Sequence, residues 1–296
     1  MTISHEFEYF KPESLAEALE LKEKYGARAS LLAGGTDLIN NLDDEVVSPE
    51  AVIDLKGIKE LARLDTSGSR LVIGALATFS DLLESPVVKK GYPLLWEAAG
   101  EVASVSIRNR ATMVGNLCSC VPCLDSGPPL VIYEALVILN GTKGKRTIPI
   151  FDFVQGPRRT TLRDDEIAVG VVIPELPAKR GEGFVKLKRY KGEDLAQASV
   201  GVMAVAGGEF RVAFGSVAPV PVRARSIEKL LKGKKLSPGL IAEAQKLVAN
   251  EIAPISDVRA GKEYRLHMCR VMLERALNAS ASRLQGDGPK YGTSLI

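Results

Sequence analysis

The sequence predicts an α+β protein in two domains, on three observations. The chain opens as strand, helix, strand. Its last third carries strands followed by segregated helices, and a proline pair separates the two stretches. Length agrees, because 296 residues exceed one average domain and let each of two bury its own core. An apolar content of 46% and a charged content of 25% are globular values.

Residues 7–10 read as a short extended entry. Ser14-Leu15-Ala16-Glu17 reads as a capping box, in which Ser14 accepts from a first-turn N–H and Glu17 reaches back. Leu15, Ala18 and Leu19 form a helical apolar stripe, and Gly26 suits the C′ position. Residues 29–33 form a buried strand that runs into a glycine-rich turn, and 51–55 and 70–73 are further strands. A helix covers 94–99, and another covers 130–135 behind Pro128-Pro129. Residues 135–139 turn at Asn140-Gly141 and return through 145–150 as a hairpin. Residues 167–173 form a strand closed by Pro174-Glu175-Leu176-Pro177. With the basic, glycine-bearing run 179–183, that proline pair marks the domain boundary.

Beyond the boundary, strands are expected at 184–190, 199–206 and 210–215, and helices at 225–231, 237–250 and 257–279. Ser237 is the N-cap of the second helix, with Pro238 at its first position. The third carries Tyr264, Met268, Val271 and Arg275 on one side. The tail after Arg283 is polar and reads as loose.

Charge and composition exclude several classes. A net charge of +3 is too small to imply a nucleic-acid partner, and Lys232-Gly233-Lys234-Lys235 and Arg223-Ala224-Arg225 read as solvated faces. The first residues, 1–6, carry neither a basic n-region nor an apolar h-region, so no signal peptide is expected. The longest apolar stretch, 130–139, is interrupted by Glu134 and is too short to span a bilayer. A soluble cytoplasmic protein without a transmembrane segment is the expectation. Two histidines and four cysteines leave few options for metal or acid–base chemistry.

Two glycine-rich turns carry the functional signal. The first is Ala33-Gly34-Gly35-Thr36-Asp37-Leu38. The second is Ala111-Thr112-Met113-Val114-Gly115-Asn116-Leu117, with Asp125 and Gly127-Pro128-Pro129 behind it. Each adjoins an apolar run and then exposes small and hydroxyl residues, an arrangement that frees backbone N–H groups to face an anion. Two such turns on one chain point to a ligand with two phosphates held from both sides, such as a dinucleotide.

At these turns the sequence resembles the flavoprotein (medium) subunit of molybdenum hydroxylases, a family that includes carbon monoxide dehydrogenase medium chains and the flavin domain of xanthine dehydrogenases. Ala33 to Leu38 matches an AGGTDL-like signature. The run Ile107-Arg108-Asn109-Arg110-Ala111-Thr112-Met113-Val114-Gly115-Asn116 matches IRN-x-x-T-I-G-G-N. Residues 121–129 match an S-P-x-x-D-x-x-P-P run at unchanged spacing. Lys186-Leu187-Lys188-Arg189-Tyr190 with Glu193-Asp194-Leu195-Ala196 resembles the family's isoalloxazine-side loop, and residues 214–224 and 264–277 resemble its C-terminal motifs. The match runs in order over roughly 5–280.

The resemblance implies a two-lobed FAD-binding domain of the vanillyl-alcohol-oxidase (PCMH) type over 1–177, with lobes about 1–57 and 58–177. It also implies a small α+β domain over 178–283 with a three- to four-stranded sheet and helices, and a tail at 284–296. FAD is the implied cofactor, lying between the lobes with its ring toward the second domain. The implied partners are an iron–sulfur (small) subunit and a molybdopterin (large) subunit, assembled as a dimer of heterotrimers. The implied role is to pass electrons to an external acceptor. A self-sufficient FAD oxidoreductase and a fold that has lost its flavin are the competing readings. The absence of a substrate-cap domain disfavours the former, and the intact glycines disfavour the latter.

The implied FAD contacts are Leu32, Ala33, Gly34, Gly35, Thr36, Asp37 and Leu38 on the first turn, and Thr112, Met113, Gly115 and Asn116 on the second. Val102 and Ala103 align with the adenine-side segment, and Ser119 with a contacting hydroxyl. Gly34 and Gly35 let the backbone approach a phosphate with no Cβ in the way. Asp37 holds the turn or reaches the ribityl chain. Asp125 binds a polar part of FAD or makes an Asx turn. Leu162 and Lys186 flank the ring. Lys186 is either a cation that stabilises the reduced flavin or a solvated strand lysine. Tyr190 and Leu195 pack on the ring or belong to the core. Val114 replaces a usual glycine, so either the turn has shifted or that position needs no special backbone. No residue reads as a general base or a metal ligand. Cys118, Cys120 and Cys123 with the remote Cys269 make a poor cluster site and read as packing thiols. Gly141 to Thr147 lacks phosphate-loop spacing, and His5 and His267 read as structural.

Overall fold

A computed structural model describes residue 3, residues 5–190 and residues 192–296. Met1, Thr2 and Ser4 of the signal-peptide reading lie outside the described residues. The first lobe is β1 (Glu8–Phe10), α1 (Leu15–Tyr25), β2 (Ala29–Leu32), α2 (Leu38–Asp43) and β3 (Ala51–Asp54). Its sheet has the order β1-β3-β2, with β3 parallel to both neighbours. Parallel pairing follows from the crossovers through α1 and α2. Ser14 caps α1 by accepting from Glu17 N at 3.3 Å, but Glu17 reaches Glu13 N at 3.0 Å, one residue short of the reciprocal bond expected.

The second lobe begins with β4 (Leu64–Ser67) and β5 (Arg70–Gly74). Short helices follow: α3 (Phe79–Glu84), α4 (Pro86–Gly91), α5 (Pro93–Gly100), α6 (Val105–Arg108), α7 (Met113–Ser119) and α8 (Gly127–Ile132). The lobe ends with β6 (Leu136–Gly141), β7 (Gly144–Pro149), α9 (Ile150–Phe153), the small pair β8 (Val154–Gly156) and β9 (Arg159–Thr160), and β10 (Glu166–Ile173). Its sheet is antiparallel, in the order β4-β5-β10-β6-β7. The β6–β7 hairpin is present, but Gly141 pairs with Gly144, so the turn is Thr142-Lys143 rather than Asn140-Gly141. Asn140 sits inside the ladder opposite Lys145.

The C-terminal domain is a four-stranded antiparallel sheet, β11 (Arg180–Leu187), β12 (Ala198–Val205), β13 (Glu209–Gly215) and β14 (Val222–Arg223), covered by α10 (Arg225–Leu231), α11 (Pro238–Glu251) and α12 (Lys262–Gln285). The structure is therefore α+β, as predicted. Every residue of β12 is buried, because α12 packs on the strand from within its own domain and α5 and α8 of the first domain also pack against it. The 179–183 run read as linker belongs largely to β11. Gly181 is needed there, because a Cβ would stand 2.1 Å from the Ser280 carbonyl oxygen of α12. The α12 helix starts later and ends later than periodicity predicted. Its buried face carries Cys269, Met272, Leu273 and Ala276, while Tyr264 stays exposed.

The tail is docked, not loose. Tyr291 OH accepts from Glu182 N at 3.2 Å, its ring lies under the Arg283 guanidinium, and Gly292 N donates to Glu97 Oε1 at 3.0 Å. A polar sequence hid these contacts because they are made by backbone groups and one aromatic ring.

Candidate functional site

A cavity of about 660 Å³ runs between the two lobes and reaches the C-terminal domain. One wall is the first glycine turn, which leaves β2 and enters α2, and contributes Ala33, Gly34, Gly35, Thr36, Asp37 and Leu38. Among the described residues, the backbone N–H groups of Gly34, Gly35, Thr36 and Asp37 donate to no acceptor in the chain. Four successive free donors make a nest for an anion. Gly35 adopts φ +83°, which favours glycine. Gly34 has a different reason from the one expected. A Cβ there would stand 2.0 Å from the Arg110 carbonyl oxygen, so its missing side chain lets the two turns touch.

The opposite wall is α7 and the turn before it, contributing Thr112, Gly115, Asn116 and Ser119. Thr112 is the N-cap, and its Oγ1 accepts from Gly115 N at 3.0 Å. The turn is pinned from behind, where Phe79 N donates to Ala111 O at 3.0 Å and Met113 N to Ala77 O at 3.2 Å. Val114 sits inside the helix without a left-handed backbone, so that position needs no glycine. Ser119 Oγ donates a short hydrogen bond to Asp37 Oδ2, tying the second wall to the first. Asp37 and Ser119 thus hold each other across the cavity.

Val102 and Ala103 also line the cavity, just after Glu101, whose carbonyl accepts from Lys186 Nζ. Ala103 takes φ +36°, and Arg108 of the I-R-N motif secures the bend by donating Nη1 to Val102 O at 2.6 Å and Ala103 O at 3.0 Å. Leu162 is in the lining too, and where the cavity meets the C-terminal domain stand Asp125, Tyr190 and Leu195. The loop carrying the last two is held by Asp194, which accepts from Arg189 N at 2.8 Å and Leu195 N at 2.9 Å. The Arg189 guanidinium beside Asp194 holds its carboxyl down at about 2. Tyr190 is 56% exposed and Leu195 45% exposed, so neither belongs to the core.

Three residues stand outside the lining. Leu32 folds its side chain toward Gly35, Met113 is fully buried in the core, and Lys186 lies behind Asp125. Lys186 is not a solvated strand lysine. Its buried Nζ donates to Asp125 Oδ2 at 2.7 Å and to Glu101 O at 2.7 Å. Asp125 does not use its second oxygen: Oδ1 is buried without a hydrogen-bond partner. Burial pushes this carboxyl up to about 6 despite the lysine.

Sequence reasoning missed Lys22, Asn41 and Phe79, which also line the cavity. Lys22 was detectable as a charge one turn after Ala18 on the buried stripe of α1. Its Nζ donates to Gly26 O at 2.6 Å, and burial lowers its pKa. Cys118 and Cys123 line the cavity, and burial pushes the Cys118 thiol up to about 12. Cys120 turns away and donates to Gly156 O at 3.2 Å. Among the described residues no group of three potential ligands is placed to hold a metal ion.

The cavity suits an anion that also carries polar and apolar groups. It offers free N–H donors, small residues on both walls, an unpartnered carboxylate oxygen, and apolar Leu162 and Leu195.

Comparisons with known proteins agree with that geometry. Residues 5–176 match the model of the FAD binding domain in molybdopterin dehydrogenase, and residues 183–280 that of the CO dehydrogenase flavoprotein C-terminal domain. The chain is 34% identical over 280 residues to the carbon monoxide dehydrogenase medium chain of Hydrogenophaga pseudoflava, covering 94% of this chain and 98% of the relative. It is 32% identical over 286 residues to the putative xanthine dehydrogenase FAD-binding subunit of Escherichia coli, covering 94% and 97%. Among solved structures, carbon monoxide dehydrogenase from Hydrogenophaga pseudoflava superposes with a TM-score of 0.91 at 35% identity, covering 96% of this chain and 99% of that one.

Proposed function

The chain belongs to the FAD-binding subunits of molybdenum hydroxylase-type oxidoreductases, and from that premise we propose that it is the electron-transferring subunit of such a complex. FAD is its cofactor. In this reading it receives electrons from an iron–sulfur subunit, whose own source is a molybdopterin subunit, and hands them to an external acceptor. The proposed assembly is a dimer of heterotrimers in the cytoplasm. No described helix is long and apolar enough to cross a membrane.

The observation that carries the reading is the convergence of both glycine turns and the C-terminal ring-side loop on one cavity. The N–H groups of residues 34–37 would hold the pyrophosphate from one side. Thr112, Gly115 and Asn116 would stand on the other. The cofactor supplies an acceptor and donor of one or two electrons. Leu162, Tyr190 and Leu195 would offer apolar surface to the ring, and Asp125 a polar contact. No histidine lines the cavity among the described residues, so the chain places no imidazole for acid–base work on a substrate of its own. The exposed Tyr190 and Leu195 suit a surface that a partner subunit covers.

Purification from the native host under non-denaturing conditions tests this. Iron, sulfide and molybdenum are expected in stoichiometric amounts with two co-purifying subunits. A chain that purifies alone with FAD and oxidises a small substrate unaided would contradict it and favour a self-sufficient oxidoreductase.

A further inference from the structure

We propose that Asp125 takes up a proton when the cofactor is reduced, with Lys186 as its fixed counter-charge. The proposal rests on the reading that FAD occupies the cavity. Its basis is geometric. Asp125 lines the cavity and is 7% exposed, and one of its oxygens, Oδ1, is buried without a partner. The other oxygen is held by Lys186 Nζ at 2.7 Å, and the Lys186 side chain is 1% exposed. Lys186 also donates to Glu101 O, so it has no route to solvent that keeps both bonds.

Charge accounting then sets the proton count. With the cofactor oxidised, an ionised Asp125 balances Lys186 and the buried pair is neutral. Reduction adds negative charge beside Asp125. Two like charges on one buried cation are costly in a low-dielectric site. Protonation of Oδ1 restores neutrality, because Lys186, still behind Asp125, then balances the one negative charge that remains in the cavity. The electrons come from the reductant. Two electrons bring two negative charges: one proton from hydronium is taken up with the cofactor and a second goes to Asp125, whose O–H bond forms as a hydronium O–H bond breaks.

The surrounding titratable groups leave this balance intact. Glu101, on the C-cap of α5, raises the Asp125 carboxyl, and Lys188, just beyond β11, lowers it. These two form an ion pair with each other at 2.5 Å, so their effects largely cancel. Cys123, on the same segment, has its thiol raised by burial and stays neutral. The carboxyl stands at about 6 without cofactor, so a modest added negative charge carries it through neutrality.

The test uses the FAD-loaded full chain and dithionite as reductant. FAD content is read first by absorbance. Failure of the wild-type chain to bind FAD would count against the FAD reading instead. In the infrared difference spectrum between reduced and oxidised wild type, a protonated-carboxyl band should appear and shift in D₂O. In Asp125→Asn it should be absent. The midpoint potential of wild type should fall with pH more steeply than that of Asp125→Asn above about pH 6. The extra slope is about 30 mV per pH unit, one proton for a two-electron couple. No carboxyl band in wild type, or equal slopes in the two proteins, would overturn the proposal. If Asp125→Asn does not retain FAD, the wild-type infrared spectrum decides alone.

Discussion

Two buried ion pairs join the first domain to the C-terminal domain, and they are built on opposite principles. Glu97 of α5 meets Arg283 of α12 through two parallel bonds, Nη2 to Oε1 at 2.9 Å and Nη1 to Oε2 at 3.1 Å. Gly292 N and Phe184 N take up its remaining acceptor capacity, at 3.0 Å and 3.2 Å. Asp125 meets Lys186 through one oxygen and leaves the other bare beside the cavity. The first pair is a closed joint whose partners all lie in the chain. The second is incomplete, and what it lacks is a group from outside. The same contrast separates the capped start of α7 from the free N–H groups of residues 34–37. At both places the unsatisfied groups belong to residues that line the cavity, Asp125 and the first glycine turn.

Breaking the closed joint should have the largest effect. Arg283→Met strands a buried Glu97 carboxylate and should cost about 3–5 kcal/mol in urea unfolding. Gly34→Ala forces a Cβ against the Arg110 carbonyl and parts the two turns. It should cost about 1–3 kcal/mol and lower FAD retention in equilibrium dialysis.

Asp125→Asn should change the pH dependence of stability in the FAD-free chain. The folded carboxyl sits at about 6, above its ordinary 3.8, so its contribution to stability is fully present below 3.8 and is lost as pH rises through 6. The asparagine does not titrate. Relative to wild type, the variant should gain about 2 kcal/mol between pH 4 and pH 7, compared by urea unfolding at each pH. A difference between variant and wild type that does not change with pH would make this pair another structural joint. The smallest effect is expected for Thr112→Val, which removes the α7 cap and should cost about 1 kcal/mol by the same measurement.

Much of this was legible in the sequence where local chemistry decides. The turn 33–38, the N-caps Ser14 and Ser237, and the alternation of strands and helices all follow from nearby residues. The glycine turns also gave the family resemblance, hence FAD. What was not legible depends on distant groups. Gly34 is small because of Arg110, Asp37 is tied to Ser119, and Lys186 is buried by Asp125 and Glu101. The docked tail was missed because its anchors, Glu97 and Glu182, are remote in sequence. The start of β11 was missed because glycines that read as a linker let α12 lie against the strand.

The most direct test of the account is the flavin content of the purified chain. One FAD per chain should be bound, with a two-band absorption spectrum, and released intact on denaturation. A folded chain that stays colourless after incubation with FAD would contradict the assignment of the cavity between the two turns.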